Sequence, residues 1–246
     1  MSDKQEQIVS MFNEIAPSYD KANRVMSLGI DVSWRVMACK KAFEALGKDK
    51  IECVLDVACG TGDMLWHWNN QAQKSGKQIV QMCGIDPSNG MLEVAKQKLA
   101  PLLNDRTHST LSLEIGEAKA LNIESESVDI LSIAYGLRNV VALESALDEF
   151  VRVLKKGGVL VILEFMNNKD SGFLQQFMRF YTRKILPLVG GVLSRNYAAY
   201  KYLPNSIQDF VSAEDLKGKL ENRGVVSYFM KGYSANISTL YVGIKS

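Results

Sequence analysis

The chain has 246 residues, 47% of them hydrophobic, and 29 Lys+Arg against 27 Asp+Glu give a net charge of +2. This is ample apolar material for a core and too little excess charge for a protein that grips nucleic acid by bulk electrostatics. The four cysteines (Cys39, Cys53, Cys59, Cys83) hold no CxxC pair, so they read as reduced thiols, and with only His67 and His108 beside them no metal site is expected.

In chain order, the polar start MSDKQEQ lacks the basic-then-apolar order of a signal peptide, which points to the cytoplasm. No run of about 18 apolar residues follows anywhere, so no membrane-spanning helix is expected. Residues 4–46 read as helices broken near Pro17 and Gly29. Cys53–Val57 then reads as a strand, Met64–Ser75 as a helix, Ile79–Ile85 as a strand and Gly90–Leu99 as a helix. Thr110–Ile115 and Val128–Ala134 are strands, and Leu143–Leu154 is a helix. A turn at Lys156-Gly157-Gly158 leads into the apolar strand Val159–Phe165. Ala213–Asn222 reads as helical, and Val225–Met230 and Thr239–Lys245 as two strands that pair antiparallel across a short loop. Nearly continuous apolar strands alternating with helices imply an α/β, doubly wound parallel sheet of about seven strands, the last antiparallel, with helices on both faces.

The stretch LDVACGTGD, residues 55–63, ends the first strand and opens its helix. In such a sheet a ligand lies beyond the carboxyl ends of the strands. Gly60 and Gly62 let backbone approach it closely. A dinucleotide site would want a third glycine where Leu65 stands, and phosphate would meet Asp56 and Asp63 at a repulsive cost of about 1 kcal/mol or more each. The same acids suit a ligand with an ammonium and a sulfonium, and S-adenosylmethionine is such a ligand. Asp86, ending strand two before Pro87, is placed to take both ribose hydroxyls, although a dinucleotide would ask for the same acid. Glu117-Ala118 follow strand three, where a side chain can accept the adenine amino group. With Ala134 at the end of strand four, the candidate cofactor set is Asp56, Gly60, Thr61, Gly62, Asp86, Pro87, Glu117, Ala118 and Ala134. A tight strand-helix turn without a ligand, and a helix cap for Asp63, are the plainer readings.

Together these residues resemble a class I S-adenosylmethionine-dependent methyltransferase with its Rossmann-like sheet. Tyr19-Asp20-x-x-Asn23-x-x-Met26-Ser27-x-x-x-Asp31-x-x-Trp34 is similar to the N-terminal signature of the ubiquinone/menaquinone biosynthesis C-methyltransferases. Tyr135-Gly136-Leu137-Arg138-Asn139-Val140 resembles their motif after strand four. Arg152-Val153-Leu154-Lys155-Lys156-Gly157-Gly158 followed by Leu163-Glu164-Phe165 resembles their second signature. The likeness runs from about Met11 to the C-terminus. The chain departs from it at Asp31, where the family usually has His. It departs also at Lys156 for Pro, at Leu121-Asn122-Ile123 for Leu-Pro-Phe, and at Glu117 for Asp or Asn.

The resemblance implies methylation of a ring carbon of a reduced, prenylated quinone, demethylmenaquinol before benzoquinol, with S-adenosylmethionine as donor and no metal. It implies Arg138 as the charge beside the ionised ring hydroxyl, Asn139 as a hydrogen-bond partner of that oxygen and Tyr19 as a closing or orienting group, with Asp20 and Asp31 as rival bases. Without it, an ion pair, a helix cap and packing are the ordinary roles of those three. One catalytic unit over 1–246 is expected: a helical cap over 1–46, a cofactor-binding core over 47–166, a helical lid insertion over 167–208, and a final helix and hairpin over 209–246.

From Ser171 to Gln208 there is no Asp or Glu, while Arg179, Arg183, Lys184, Arg195 and Lys201 alternate with seven aromatic residues, of which Phe173, Phe177, Phe180 and Tyr181 share one helical face. That pattern suits a lid over a greasy substrate, a peripheral contact with anionic lipid on the inner face of the membrane, packing on the sheet, or a homodimer contact. Other readings stay open: another lipophilic acceptor, a non-catalytic cofactor-binding subunit, or RNA methylation. The last is weakened by the near-neutral charge, which argues for no nucleic-acid partner.

Overall fold

The structure is a computed structural model that describes residues 2–104, 110–167 and 197–246. Two long helices come first, α1 (Asp3–Ser27) and α2 (Ile30–Leu46), and the alternation then begins with β1 (Lys50–Val57), α3 (Asp63–Lys74), β2 (Gln78–Asp86) and α4 (Asn89–Lys98). A short α5 (Ala100–Asn104) precedes β3 (Thr110–Ile115) and β4 (Val128–Ala134). A 3₁₀ turn (Leu137–Asn139), α6 (Leu143–Val153), β5 (Leu154–Phe165), α7 (Tyr197–Asp209), α8 (Ala213–Glu221), β6 (Val225–Tyr233) and β7 (Ser238–Lys245) complete the chain. The lid expected over 167–208 lies outside the described residues except for Asn167 and α7, and His108 lies outside them too.

The sheet has seven strands in the order β3-β2-β1-β4-β5-β7-β6, with β7 antiparallel to both of its neighbours. The doubly wound sheet expected from the alternation of elements is what forms. Successive strand residues face opposite sides. Val54, Ile130 and Val161 join one cluster, packed with Phe43, Trp68 and Leu99 from α2, α3 and the end of α4. Leu55, Leu131 and Ile162 join the other, with Leu147, Phe150, Leu216 and Leu220 from α6 and α8. Fully buried side chains of this size contribute roughly 1.5–3 kcal/mol each, so both faces of the sheet are firmly fixed.

Two local expectations are corrected. The helix does not break at Pro17, which lies inside α1; the break is at Leu28 and Gly29, both left-handed. Pro17 removes the N–H that would bond the Asn13 carbonyl, and its ring crowds that carbonyl. The helix is held instead by Ile15, Ala16 and Ala22, buried together with Met91 of α4. Asn13 also anchors that helix, its Oδ1 accepting from Gly90 N–H and Ser88 Oγ–H at 2.8 Å each. Likewise, Lys156-Gly157-Gly158 is no separate turn. It is an irregularity inside β5, where Val128 pairs with Leu154 but Ile130 pairs with Val159, and Gly157 takes a φ of +74°.

Candidate active site

Strand order reverses between β1 and β4, and a cavity opens beyond the carboxyl ends of the strands there, as expected for a ligand site in this class of sheet. Its walls come from the loops after β1, β2, β3 and β4, closed by α1 and by Arg35 of α2. Of the residues expected around a cofactor, Asp56, Gly60, Thr61, Asp86, Pro87, Glu117, Ala118 and Ala134 line it, and so do Tyr19 and Asn139. Gly62 and Arg138 do not. Ala58 and Tyr135, in the loops after β1 and β4, both have positive φ (51° and 60°) without being glycine. Such strain collects at functional sites.

The two glycines of the loop do different work. A Cβ on Gly60 (φ +55°) would meet nothing within 4 Å, so the missing side chain leaves open the space a ligand would take. A Cβ on Gly62 (φ +83°) would fall 2.5 Å from Leu99 Cδ1, so this glycine is required by packing at the start of α3 rather than by a ligand. Leu65, standing where a third glycine would serve a dinucleotide, is fully buried, and Gly84 of β2 makes room for it. Gly60→Ala should therefore lower stability by only about 1–2 kcal/mol of left-handed strain while removing cofactor binding. Gly62→Ala should lower stability by more than that, with the cofactor site intact in whatever remains folded. Thermal melts with and without S-adenosylmethionine read both; equal behaviour of the two variants would contradict this division.

The acids are positioned by the ladder. Asp56 of β1 lies level with Gly84 of β2 and Ser132 of β4. Ser132 Oγ–H donates to Asp56 Oδ1 at 2.6 Å and accepts from Trp68 Nε1–H at 3.0 Å. Burial pushes Asp56 up to about 7, against the pull of Ser132 and Arg35. Asp86 accepts the Gly60 and Ser88 N–H groups at 2.8 Å each, joining the end of β2 to the glycine loop. Burial still pushes it up to about 6. A cationic ligand beside Asp56, and hydroxyls donating to Asp86, favour the ionised forms. Affinity for S-adenosylmethionine should then rise by about a hundredfold or more from pH 5 to pH 8, because each acid must lose a proton to bind it. The sign for stability is opposite. Raised acids bind protons that the unfolded chain releases near pH 4, so without ligand their contribution falls as pH rises from about 4 to 7. Titration calorimetry from pH 5 to pH 8 checks the first statement, and a flat profile would contradict it.

Three further acids are committed to cations. Asp31, buried, accepts from Ser27 Oγ–H at 2.6 Å and from the guanidinium groups of Arg24 and Arg35. Burial opposes ionisation, but Ser27 and the two arginines outweigh it and hold its carboxyl below the usual range. Asp63 lies near Arg24 (2.9 Å), Lys98 (2.8 Å) and Arg35 (3.8 Å), and although burial opposes it these cations bring it to about 2. Asp20 accepts from Thr61 Oγ1–H at 2.6 Å and pairs with Lys98. Asp31 is thus a clamp between α1 and α2, its carboxylate shared by Ser27 and two arginines. Asp63 is an ion-pair partner rather than a helix cap.

Arg138 is buried behind the cavity wall, where its guanidinium meets Glu164 Oε1 at 2.6 Å and the Tyr135 carbonyl at 2.7 Å. Glu164, fully buried at the end of β5, also accepts the N–H groups of Arg138 (3.1 Å) and Phe165 (2.7 Å). Tyr19 is half-buried, and burial raises its phenol pKa against the pull of Arg138. Sequence reasoning assigned no role to Glu164 or Arg35. An acid inside the apolar run LVILEF was a signal for the first; nothing in the spacing marked the second. His67 is half-buried on α3 and outside the cavity lining. Among the described residues, no group of three His, Cys, Asp or Glu side chains could hold a metal ion, and no helix is long and apolar enough to cross a membrane.

The ubiE/COQ5 methyltransferase family profile matches residues 1–245. A Campylobacter jejuni protein named ubiquinone/menaquinone biosynthesis C-methyltransferase UbiE is 46% identical, covering 98% of this chain and 99% of its own. A protein of the same name from Geobacter sp. is 39% identical over 100% of this chain and 99% of its own. Among solved structures, a Thermotoga maritima S-adenosylmethionine-dependent methyltransferase, described as a possible histamine N-methyltransferase, superposes with a TM-score of 0.60. It is 19% identical, covering 97% of this chain and 100% of that one, so the likeness is one of fold.

Proposed function

The chain belongs to the ubiE/COQ5 methyltransferase family, and from that premise we propose that it C-methylates a reduced, prenylated quinone, converting demethylmenaquinol to menaquinol. The observation that carries the reading is the meeting of Asp56, Asp86 and open-sided Gly60 around one cavity at the sheet's switch point. The fit to S-adenosylmethionine rests on chemistry: acids for an ammonium and a ribose diol, and two lining residues, Arg35 and Asn139, whose Nε and Oδ1 atoms are buried with no hydrogen-bond partner among the described residues. When bound, S-adenosylmethionine supplies an electrophilic methyl group on a sulfonium. Asp86 would hold the ribose hydroxyls, Glu117 the adenine amino group and Asp56 the ammonium. The remaining task of the chain is to align the ring carbon with the methyl group in a pocket that excludes water.

The acceptor must be the quinol, because an ionised ring hydroxyl pushes electron density onto the neighbouring carbon. A free phenol loses its proton near pH 10, so the site must favour the anion. Tyr19 keeps its own proton at neutral pH and can donate to that oxygen. Asn139 lines the same cavity. Arg138, paired with Glu164, polarises Tyr19 from behind the wall. The lid over 167–208, peripheral contact with the cytoplasmic face of the membrane and a homodimer belong to the same proposal. They are supported by the basic, aromatic composition of Ser171–Gln208 and by the need to reach an isoprenoid-tailed substrate.

The test is one anaerobic reaction holding S-adenosylmethionine with demethylated naphthoquinol and benzoquinol together, read by mass spectrometry. A methyl gain on the naphthoquinol is expected. A gain on the benzoquinol alone would overturn the choice of ring. No gain on either, with S-adenosylmethionine bound, would favour a non-catalytic subunit or another acceptor.

A further inference from the structure

Arg35 is a buried cation on the cavity wall, and its pairing with Asp31 leaves part of its donor set unmet. It lies on α2, is 6% exposed, and lines the same cavity as Asp56 and Asp86. Its Nη1 edge is bound by Asp31, one helical turn earlier. Its Nη2 stands 3.8 Å from Asp63, beyond hydrogen-bond reach. Its plane lies over the Tyr135 ring, with Cζ 5.3 Å from the centroid. Its Nε–H is buried without an acceptor among the described residues. A guanidinium carries five N–H donors in a rigid fork, and burying one with an edge unmet is costly unless a ligand meets it. Asp31 and the Tyr135 ring hold the group in place, so little freedom is lost when an anion arrives.

We propose that Arg35 is an anion-binding residue of the cavity, held by Asp31 so that its free edge takes an oxyanion. Given the methyltransferase reading, on which this rests, the oxyanion has two sources: the α-carboxylate of S-adenosylmethionine or the ionised hydroxyl of the acceptor ring. The pairing with Asp56 favours the carboxylate. An α-amino acid presents an ammonium and a carboxylate on one carbon, and Arg35 and Asp56 offer the two complementary charges on one wall. Asp31 is then a positioning residue. It orients the guanidinium and balances its charge when no ligand is bound.

The test compares wild type, Arg35→Gln and Arg35→Lys by calorimetry with S-adenosylmethionine and with its decarboxylated form, and follows the pH profile of methyl transfer. Arg35→Gln should weaken S-adenosylmethionine by tenfold or more and leave the decarboxylated form unchanged, with Arg35→Lys in between. If the acceptor oxygen is the partner instead, both affinities stay put and the midpoint of the pH profile moves up by about a unit. That result supports Arg35 as the anion site and changes its ligand. Equal weakening toward both nucleosides, or no change in either affinity or in the pH midpoint, would overturn the proposal. Should Arg35→Gln not fold, Arg35→Lys carries the same comparison, because it keeps a cation beside Asp31. The binding arm needs no acceptor, so an error over the quinol leaves it intact. Wild type that binds neither nucleoside would overturn the methyltransferase reading and this one together.

Discussion

Asp86→Ala is expected to lower affinity for S-adenosylmethionine by at least a hundredfold and to lower the melting temperature as well. A carboxylate offers about four acceptor positions. Two are filled by the Gly60 and Ser88 N–H groups at 2.8 Å, leaving two for a ribose diol. Hydrogen bonds to a charged group contribute roughly 1.5–3 kcal/mol each, so losing two removes about 3–6 kcal/mol of binding, or more than a hundredfold. The same change strands two backbone N–H groups, at roughly 1–3 kcal/mol each where water cannot reach them. It also loosens the glycine loop from β2. Asp86→Asn separates the effects. It preserves the volume and one acceptor, so most of the stability returns, while the amide N–H₂ now faces donors and binding stays weak. Calorimetry and melting curves on the two variants decide it. An unchanged Kd in Asp86→Ala would remove this residue from the cofactor site.

Much of this was legible in the sequence because parallel sheets write themselves as apolar runs. Val128–Ala134 and Val159–Phe165 are buried on both faces, and strands of a parallel sheet read as short apolar runs of this kind. The acids at the strand ends were legible for a related reason: Asp56 and Asp86 interrupt apolar runs where a doubly wound sheet keeps its ligands. The failures came where tertiary contact overrides local rules. Pro17 signals a break, but the burial of Ile15 and Ala16 against Met91 keeps the helix whole. Gly62 looks like a ligand glycine until Leu99, 37 positions later in the chain, is seen to occupy its Cβ space. Arg35 has no spacing signal at all. It reaches the cavity only because α2 packs on the sheet against β4, β5 and β7, which no linear pattern records.

The Arg138–Glu164 pair poses the hardest question of role, and Arg138→Met alone will not answer it. Removing the arginine leaves Glu164, fully buried, without its counter-charge. Breaking a buried pair in this way costs about 3–5 kcal/mol, which for a chain of this length lowers the melting temperature by roughly 10 °C or more. Lower activity in the single variant is therefore expected whether or not Arg138 takes part in the chemistry. Nor does its net charge suffice as an explanation, because Glu164 at 2.6 Å cancels most of the field that a ring oxyanion would feel. What Arg138 retains is direction: a buried Nε–H without a partner among the described residues, and its pull on the Tyr19 phenol. The informative variant is therefore Arg138→Met with Glu164→Gln, which removes both charges together and keeps an acceptor for the Phe165 N–H. Most of the stability should return, and affinity for S-adenosylmethionine should stay within about threefold of wild type. Turnover should remain down by about a hundredfold or more, the scale of a lost oxyanion donor. If single-turnover methyl transfer in the double variant instead recovers to within about threefold of wild type, Arg138 is a strut for Glu164, and the ring oxygen is stabilised by Tyr19 and Asn139 alone.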